Sequence, residues 1–202
     1  MKPPPRRRIF AGVGYGGSNL SSLWVLIAIN LVLYIASIIN DNVIFQLGLT
    51  PSLFLEKPWT IVTNMFVHAG FWHIFGNMIT LYYFGMVLLR LVGQSKFLLL
   101  YFGGGILGNI LYILLGPHQI MAIGASGAVY ALAGALVVIM PNMRVAIWGV
   151  IPMPLWAVVL LFFVIWSIPS LIPGVAWQAH LGGLAAGLIA GFFFRRRTHY
   201  IY

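Results

Sequence analysis

Along the chain of 202 residues, polar positions are confined to short breaks between long apolar runs. A run crosses a hydrocarbon core with roughly 20 residues, fewer if recessed and more if tilted. Such runs fall near residues 22–40, 70–89, 96–115, 126–140, 154–170 and 176–194. The breaks carry the usual punctuation: Arg90 to Lys96 with Gly93, then Gly116-Pro117, Pro141-Asn142, and Pro169 to Gly174. Pro154 suits the first turn of the fifth helix. The pattern predicts an all-α fold, a polytopic membrane protein with six transmembrane helices in a small bundle over residues 22–194. Basic segments flank it at 1–21 and 195–202.

Composition settles the class of solvent. The chain is 61% hydrophobic and 6% charged, whereas a soluble domain covers itself with about 25% charged residues. Absence of cysteine excludes disulfides, thiolate metal sites and covalent haem attachment. A net charge of +9 would suit nucleic acid if it lay on one soluble face. The charges sit at span ends instead, so the expected surroundings are a lipid bilayer and no nucleic acid is expected as partner.

The first run follows Lys2 and Arg6 to Arg8, as a signal peptide would. It is longer than a signal core and lacks a clear small-residue cleavage pattern, so it is read as a span. Six spans put both termini on one side. Lys2, Arg6, Arg7, Arg8, Arg90, Lys96, Arg144, Arg195, Arg196 and Arg197 then share that side, with only Lys57 opposite. By the positive-inside rule both termini are cytoplasmic, in a multi-pass protein of the cell membrane. The outer connection, residues 41–69, holds both acids of the chain, Asp41 and Glu56, and is expected to form an interfacial structure.

Polar side chains inside a span are costly and call for individual explanation. Four stand out: His73 and Asn77 in the second run, Ser126 at the head of the fourth and His180 in the sixth. Measured at 1.5 Å per residue from the arginines at the inner ends, they stand roughly 26, 20, 27 and 22 Å up. All four share one layer in the outer half of the bilayer. His73 and Asn77, four apart, project from one helix face. The fourth helix, from Ser126 to Met140, spans only about 22 Å of a core of about 30 Å. Its start is recessed, and residues 116–125 are expected to line a water-bearing cavity.

These groups fit hydrolysis. A serine hydroxyl is a weak nucleophile until a base takes its proton, and the imidazole of His180 is the natural base. Ser126 offers its own backbone N–H for a tetrahedral oxyanion at a helix N-terminus, and His73 and Asn77 offer side-chain donors. Both carboxylates belong to the outer connection, so the expected machinery is a dyad. Tyr130, one turn beyond Ser126, is placed to lie against the imidazole. Ala179, Gly183, Gly187 and Gly191 on the sixth helix, and Gly127, Ala131 and Gly134 on the fourth, form stripes that permit close helix approach.

From about Pro58 to Gly191 the chain resembles the rhomboid family. Gly124-Ala125-Ser126-Gly127 is similar to that family's nucleophile motif, and Ala179-His180-Leu181-Gly182-Gly183 to the motif of its catalytic histidine. His68, His73 and Asn77 reproduce its second-helix spacing. The resemblance implies a six-helix core and an intramembrane serine endopeptidase with a Ser126 and His180 dyad and no cofactor or metal. It implies an oxyanion hole completed by His73 and Asn77, supporting roles for Tyr130, Gly124, Gly127 and His68, and substrates that are membrane proteins with a transmembrane helix. It also implies a mobile cap over the site near residues 169–175, with substrate access between the second and fifth helices. Two positions depart from the family pattern: Trp59-Thr60 stands where rhomboids often carry Trp-Arg, and Gly76 stands where a bulkier residue is usual.

Taken singly, each residue has a plainer explanation, since a serine in a small-residue helix usually packs or bonds the backbone. His68 is treated as structural, and His118 and His199 as loop and tail residues. Other function classes predict features that are missing here. A transporter calls for acids within the spans and broken repeats; an inactive client-binding relative calls for loss of Ser126 or His180. A zinc protease calls for a carboxylate or an H-E-x-x-H helix. A soluble serine hydrolase presents its motif on a strand-to-helix turn.

Overall fold

The computed structural model describes residues 20–147, 150–167 and 174–198. Most of the basic N-terminal segment, the tail beyond Thr198 with His199, and residues 169–173 of the expected cap therefore lie outside the described residues. The described chain is mostly helical. Its long elements are α1 (Ser21–Ile39), α4 (Phe71–Val92), α5 (Gln94–Leu115), α6 (Ser126–Ile139), α7 (Leu155–Ser167) and α8 (Trp177–Thr198). Short helices α2 (Asn42–Leu47) and α3 (Thr60–Thr63) lie in the connection between α1 and α4, with 3-10 turns at Pro51–Leu53 and Asn64–Phe66. Four helices, α1, α4, α5 and α8, are long and apolar enough to cross a membrane; α6 and α7 are apolar but shorter.

Local chemistry explains the breaks. Gly93 alone separates α4 from α5: at φ +82 it adopts a left-handed conformation, its N–H closing on the Leu89 carbonyl at 2.9 Å while its own carbonyl accepts from Phe97 at 3.1 Å. Gly116-Pro117 ends α5, and the chain runs through 116–125 before Ser126 opens α6.

One part of the all-α expectation is corrected. Strands β1 (Arg144–Ile147) and β2 (Ile151–Pro154) form an antiparallel ribbon between α6 and α7, pairing Arg144 with Pro154. Pro154 ends β2 instead of entering the first turn of the next helix; having no N–H to donate, it is tolerated where a strand stops. The sixth helix also runs past its expected end, to Thr198.

The core is centred on α5, α6 and α8, with α4 against α6 and α1 against α4, while α7 touches α6, α8 and the ribbon. Small residues bring these helices together. A Cβ on Gly183 would run into the Gly127 carbonyl, one on Gly187 into that of Ala131, and one on Gly191 would stand 2.8 Å from that of Ala135. On the facing helix, a Cβ on Gly134 would stand 2.8 Å from the Leu184 carbonyl. At these glycines backbone meets backbone across the α6–α8 seam, so the helices approach closely and gain dispersion contacts.

The outer connection is clamped by side chains reaching back to its own carbonyls. Lys57 Nζ donates to Phe45 O (3.1 Å), Trp59 Nε1 to Gln46 O (2.9 Å) and Thr63 Oγ1 to Leu47 O (2.8 Å). Thr60, at the position where the family often has arginine, is buried and donates to Lys57 O. A bridge between Leu49 and Ala122 joins this connection to the loop ahead of α6.

Candidate active site

Ser126 is the first residue of α6 and His180 the fourth of α8, and the α6–α8 seam brings these helix heads together. Ser126 Oγ lies 2.7 Å from His180 Nε2. For Nε2 to accept the serine proton, the ring's own proton belongs on Nδ1. That Nδ1 is buried and has no hydrogen-bond partner. Asp41 and Glu56 are both exposed in the outer connection, so no carboxylate stands behind the ring.

Packing holds the imidazole in place of an acid. The Tyr130 ring lies 4.8 Å from that of His180 at an interplanar angle of 39°, and Phe163 of α7 meets Tyr130 edge-on at 5.9 Å. Phe163 has no place in the sequence reading, being one aromatic among many apolar neighbours.

The turn into α6 depends on Gly124. Its φ of +116 is a conformation that residues with a Cβ rarely adopt, and an added Cβ would stand 2.7 Å from His73 Nε2. His73 is thereby seated against the turn at Gly124, two residues ahead of Ser126. Its Nδ1 faces the Ala69 N–H at 3.4 Å, which leaves Nε2 to carry the proton and point as a donor. Asn77, one turn on and buried, spends one amide hydrogen on the His73 carbonyl at 2.9 Å and keeps the other. Ser126, first in its helix, has a backbone N–H with no intrahelical acceptor.

His68 supports this turn. It is buried, its ring meets that of His73 edge-on at 4.9 Å, and its Nε2 faces the Ala125 N–H at 3.4 Å. Burial first, then the neighbouring His73, hold its pKa down to about 3, against a weaker opposing contact with the Phe66 backbone. Gly127 lies against the Ala179 carbonyl, 3.3 Å from where a Cβ would be. His118 is an exposed loop residue whose carbonyl accepts from Ser52 N–H at 3.0 Å.

His73, Asn77, Ser126 and His180 are not the only polar residues within the apolar helices. Asn30 in α1 and Asn109 in α5 are also buried within apolar helices, and Asn64 is buried just outside them. The cost of an amide in hydrocarbon is the signal that finds Asn30 and Asn109. Among the described residues no cluster of histidine and acids is arranged to hold a metal.

The arrangement juxtaposes the Ser126 hydroxyl and the His180 imidazole, with His73 beside the Gly124 turn and Asn77 bonded to the His73 carbonyl. The family model of the Rhomboid domain matches residues 55–197. Among curated proteins the chain is 33% identical over 134 residues to YdcA of Bacillus subtilis (strain 168), whose name assigns it provisionally to the rhomboid proteases. It is 32% identical over 149 residues to RHOMBOID-like protein 1 of Arabidopsis thaliana and 29% over 155 to Rhomboid protein 1, mitochondrial, of Saccharomyces cerevisiae (strain ATCC 204508 / S288c). These matches take in 66%, 73% and 69% of this chain, and 66%, 37% and 43% of the three relatives. The chain thus spans less than two thirds of the length of the relatives it matches.

Proposed function

The chain belongs to the rhomboid family, so it is a rhomboid-type intramembrane protease or a rhomboid-like protein, and from that premise we propose that it is the protease. In this reading Ser126 is the nucleophile and His180 the general base. Ser126 Oγ attacks a peptide carbonyl while its proton passes to His180 Nε2. The oxyanion is met by the Ser126 N–H, His73 Nε2–H and the free Asn77 amide hydrogen. Collapse expels the amine, which takes the proton from His180, and a water activated by the same ring then releases the acyl group.

The observation that carries this reading is the 2.7 Å approach of Ser126 Oγ to His180 Nε2, held by a seam of backbone contacts. Support for membrane substrates comes from the family and from the depth of the site. Helix α6, 14 residues long, reaches only about 21 Å, so its head is sunk below the outer surface. We read residues 22–194 as six crossings, with α6 and α7 as short ones, and basic segments 1–21 and 195–202 in the cytoplasm. Substrates are transmembrane segments that unwind near the cut, since a helix hides its carbonyls.

The test is reconstitution in liposomes with a single-span substrate labelled at both ends. Ser126→Ala and His180→Ala should each abolish cleavage while leaving thermal unfolding unchanged, and a fluorophosphonate should label wild-type protein at Ser126 alone. Cleavage surviving in Ser126→Ala removes the proposal.

A further inference from the structure

The loop that delivers Gly124 and Ala125 to α6 is held from outside the reacting pair by two buried amides. Asn64, 2% exposed, lies in the 3-10 turn after α3; Asn109, 4% exposed, lies in the outer half of α5. Asn109 Nδ2 donates to Asn64 Oδ1 at 2.7 Å, and Asn64 Nδ2 donates to Asn109 Oδ1 at 3.1 Å. Each amide has a second hydrogen. That of Asn109 goes to the Ile61 carbonyl at 2.7 Å, and that of Asn64 reaches towards the Ala122 carbonyl at 3.5 Å. The backbone carbonyl of Asn64 accepts from the Gly124 N–H at 2.8 Å.

An amide in these surroundings costs free energy unless its donors and acceptor are met, which restricts the pair to one mutual arrangement. Asn109 anchors that arrangement to α5, a helix in close contact with both α6 and α8; Gly104 leaves room for Ala131 and Gly108 for the Ala179 carbonyl. Asn64 passes it on to Gly124, the left-handed residue that turns the chain into Ser126. We propose that the Asn64–Asn109 amide pair is a positioning element, setting the nucleophile turn relative to the helices that carry His180 and the oxyanion donors. Neither residue touches the reacting atoms. The inference rests on Ser126 acting as nucleophile.

Two variants test it in liposomes, Asn109→Ala and the double change Asn64→Leu with Asn109→Leu. Replacing both partners by apolar groups of similar size can leave stability nearly unchanged while deleting the geometry. Active sites are counted by fluorophosphonate labelling at saturation. The expected result is a kcat per labelled serine lower by about tenfold or more, with KM little changed and labelling slowed in parallel, as a small displacement of reacting groups gives. A purely structural pair would instead lower the melting temperature and the number of labelled sites, with kcat per site unchanged. That outcome in either folded variant overturns the positioning role and leaves the proposed function standing. A wild-type protein that neither cleaves nor labels overturns the proposed function and this inference with it.

Discussion

Tyr130 lies one helical turn beyond Ser126 and places its ring 4.8 Å from that of His180. The two rings are tilted by 39° to one another, and Phe163 meets Tyr130 edge-on. In the proposed mechanism this ring contact is what orients the base, and the ring rather than the phenol hydroxyl is expected to carry the effect.

Tyr130→Phe should keep kcat close to wild type, while Tyr130→Ala should lower it by about tenfold or more through loss of orientation. Steady-state cleavage of the labelled substrate separates the two. Equal loss in both variants would assign the effect to the hydroxyl.

His73→Ala and Asn77→Ala should each lower kcat with KM little affected, since a donor to an oxyanion acts in the transition state alone. Removal of one such donor typically costs about 3 kcal/mol. Asn77, with one hydrogen already given to the His73 carbonyl, retains one for this role. A change confined to KM would remove either residue from the oxyanion hole.

Gly183→Ala forces a methyl group against the Gly127 carbonyl. Overpacking of this kind costs about 1–3 kcal/mol, and the seam can relieve it only by parting α6 from α8. Thermal unfolding in detergent should show a lower midpoint, and fluorophosphonate labelling of Ser126 should slow. A variant as stable and as reactive as wild type would contradict the close seam.

The burial of His68 predicts a pH dependence of stability. Its folded pKa of about 3 lies below the ordinary 6.5, so between those values the unfolded chain binds a proton that the folded chain refuses. Its contribution is whole above pH 6.5 and declines as pH falls towards 3, with a limiting slope of about 1.4 kcal/mol per pH unit. His68→Gln should flatten the decline of the unfolding midpoint between pH 6.5 and 4.5. An unchanged slope would show that His68 is protonated in the folded protein.

Much of this was legible in the sequence, for a physical reason. Apolar runs broken by Gly93, Gly116-Pro117 and Pro141-Asn142 mark where helices start and stop, and the helices lie close to those runs. Ser126, His180, His73 and Asn77 were legible as positions because polar groups in hydrocarbon are rare; their roles are proposals. The ribbon at Arg144–Ile147 and Ile151–Pro154 lies in the break between the fourth and fifth runs, and so short a pair of strands is defined only by its cross-strand pairing. Asn109 carried the local signal of an amide in an apolar helix, but its pairing with Asn64 joins residues 45 apart in sequence, and no local pattern announces that partner. The number of crossings does not follow from helix length, since α6 and α7 have 14 and 13 residues.

The α6–α8 seam has a consequence for the lipid in which the protein sits. Main chain rests on main chain at Gly183, Gly187 and Gly191, with the Leu184 side chain at the contact beside Gly134, so little slack is left between the two helices to absorb a shift. A thicker or thinner bilayer can lean the two helices together as one rigid spar, yet it has no lever with which to slide one along the other. For the protease proposed above, changing acyl-chain length should accordingly alter how readily a client reaches Ser126, while the rate of bond breaking once it arrives stays constant.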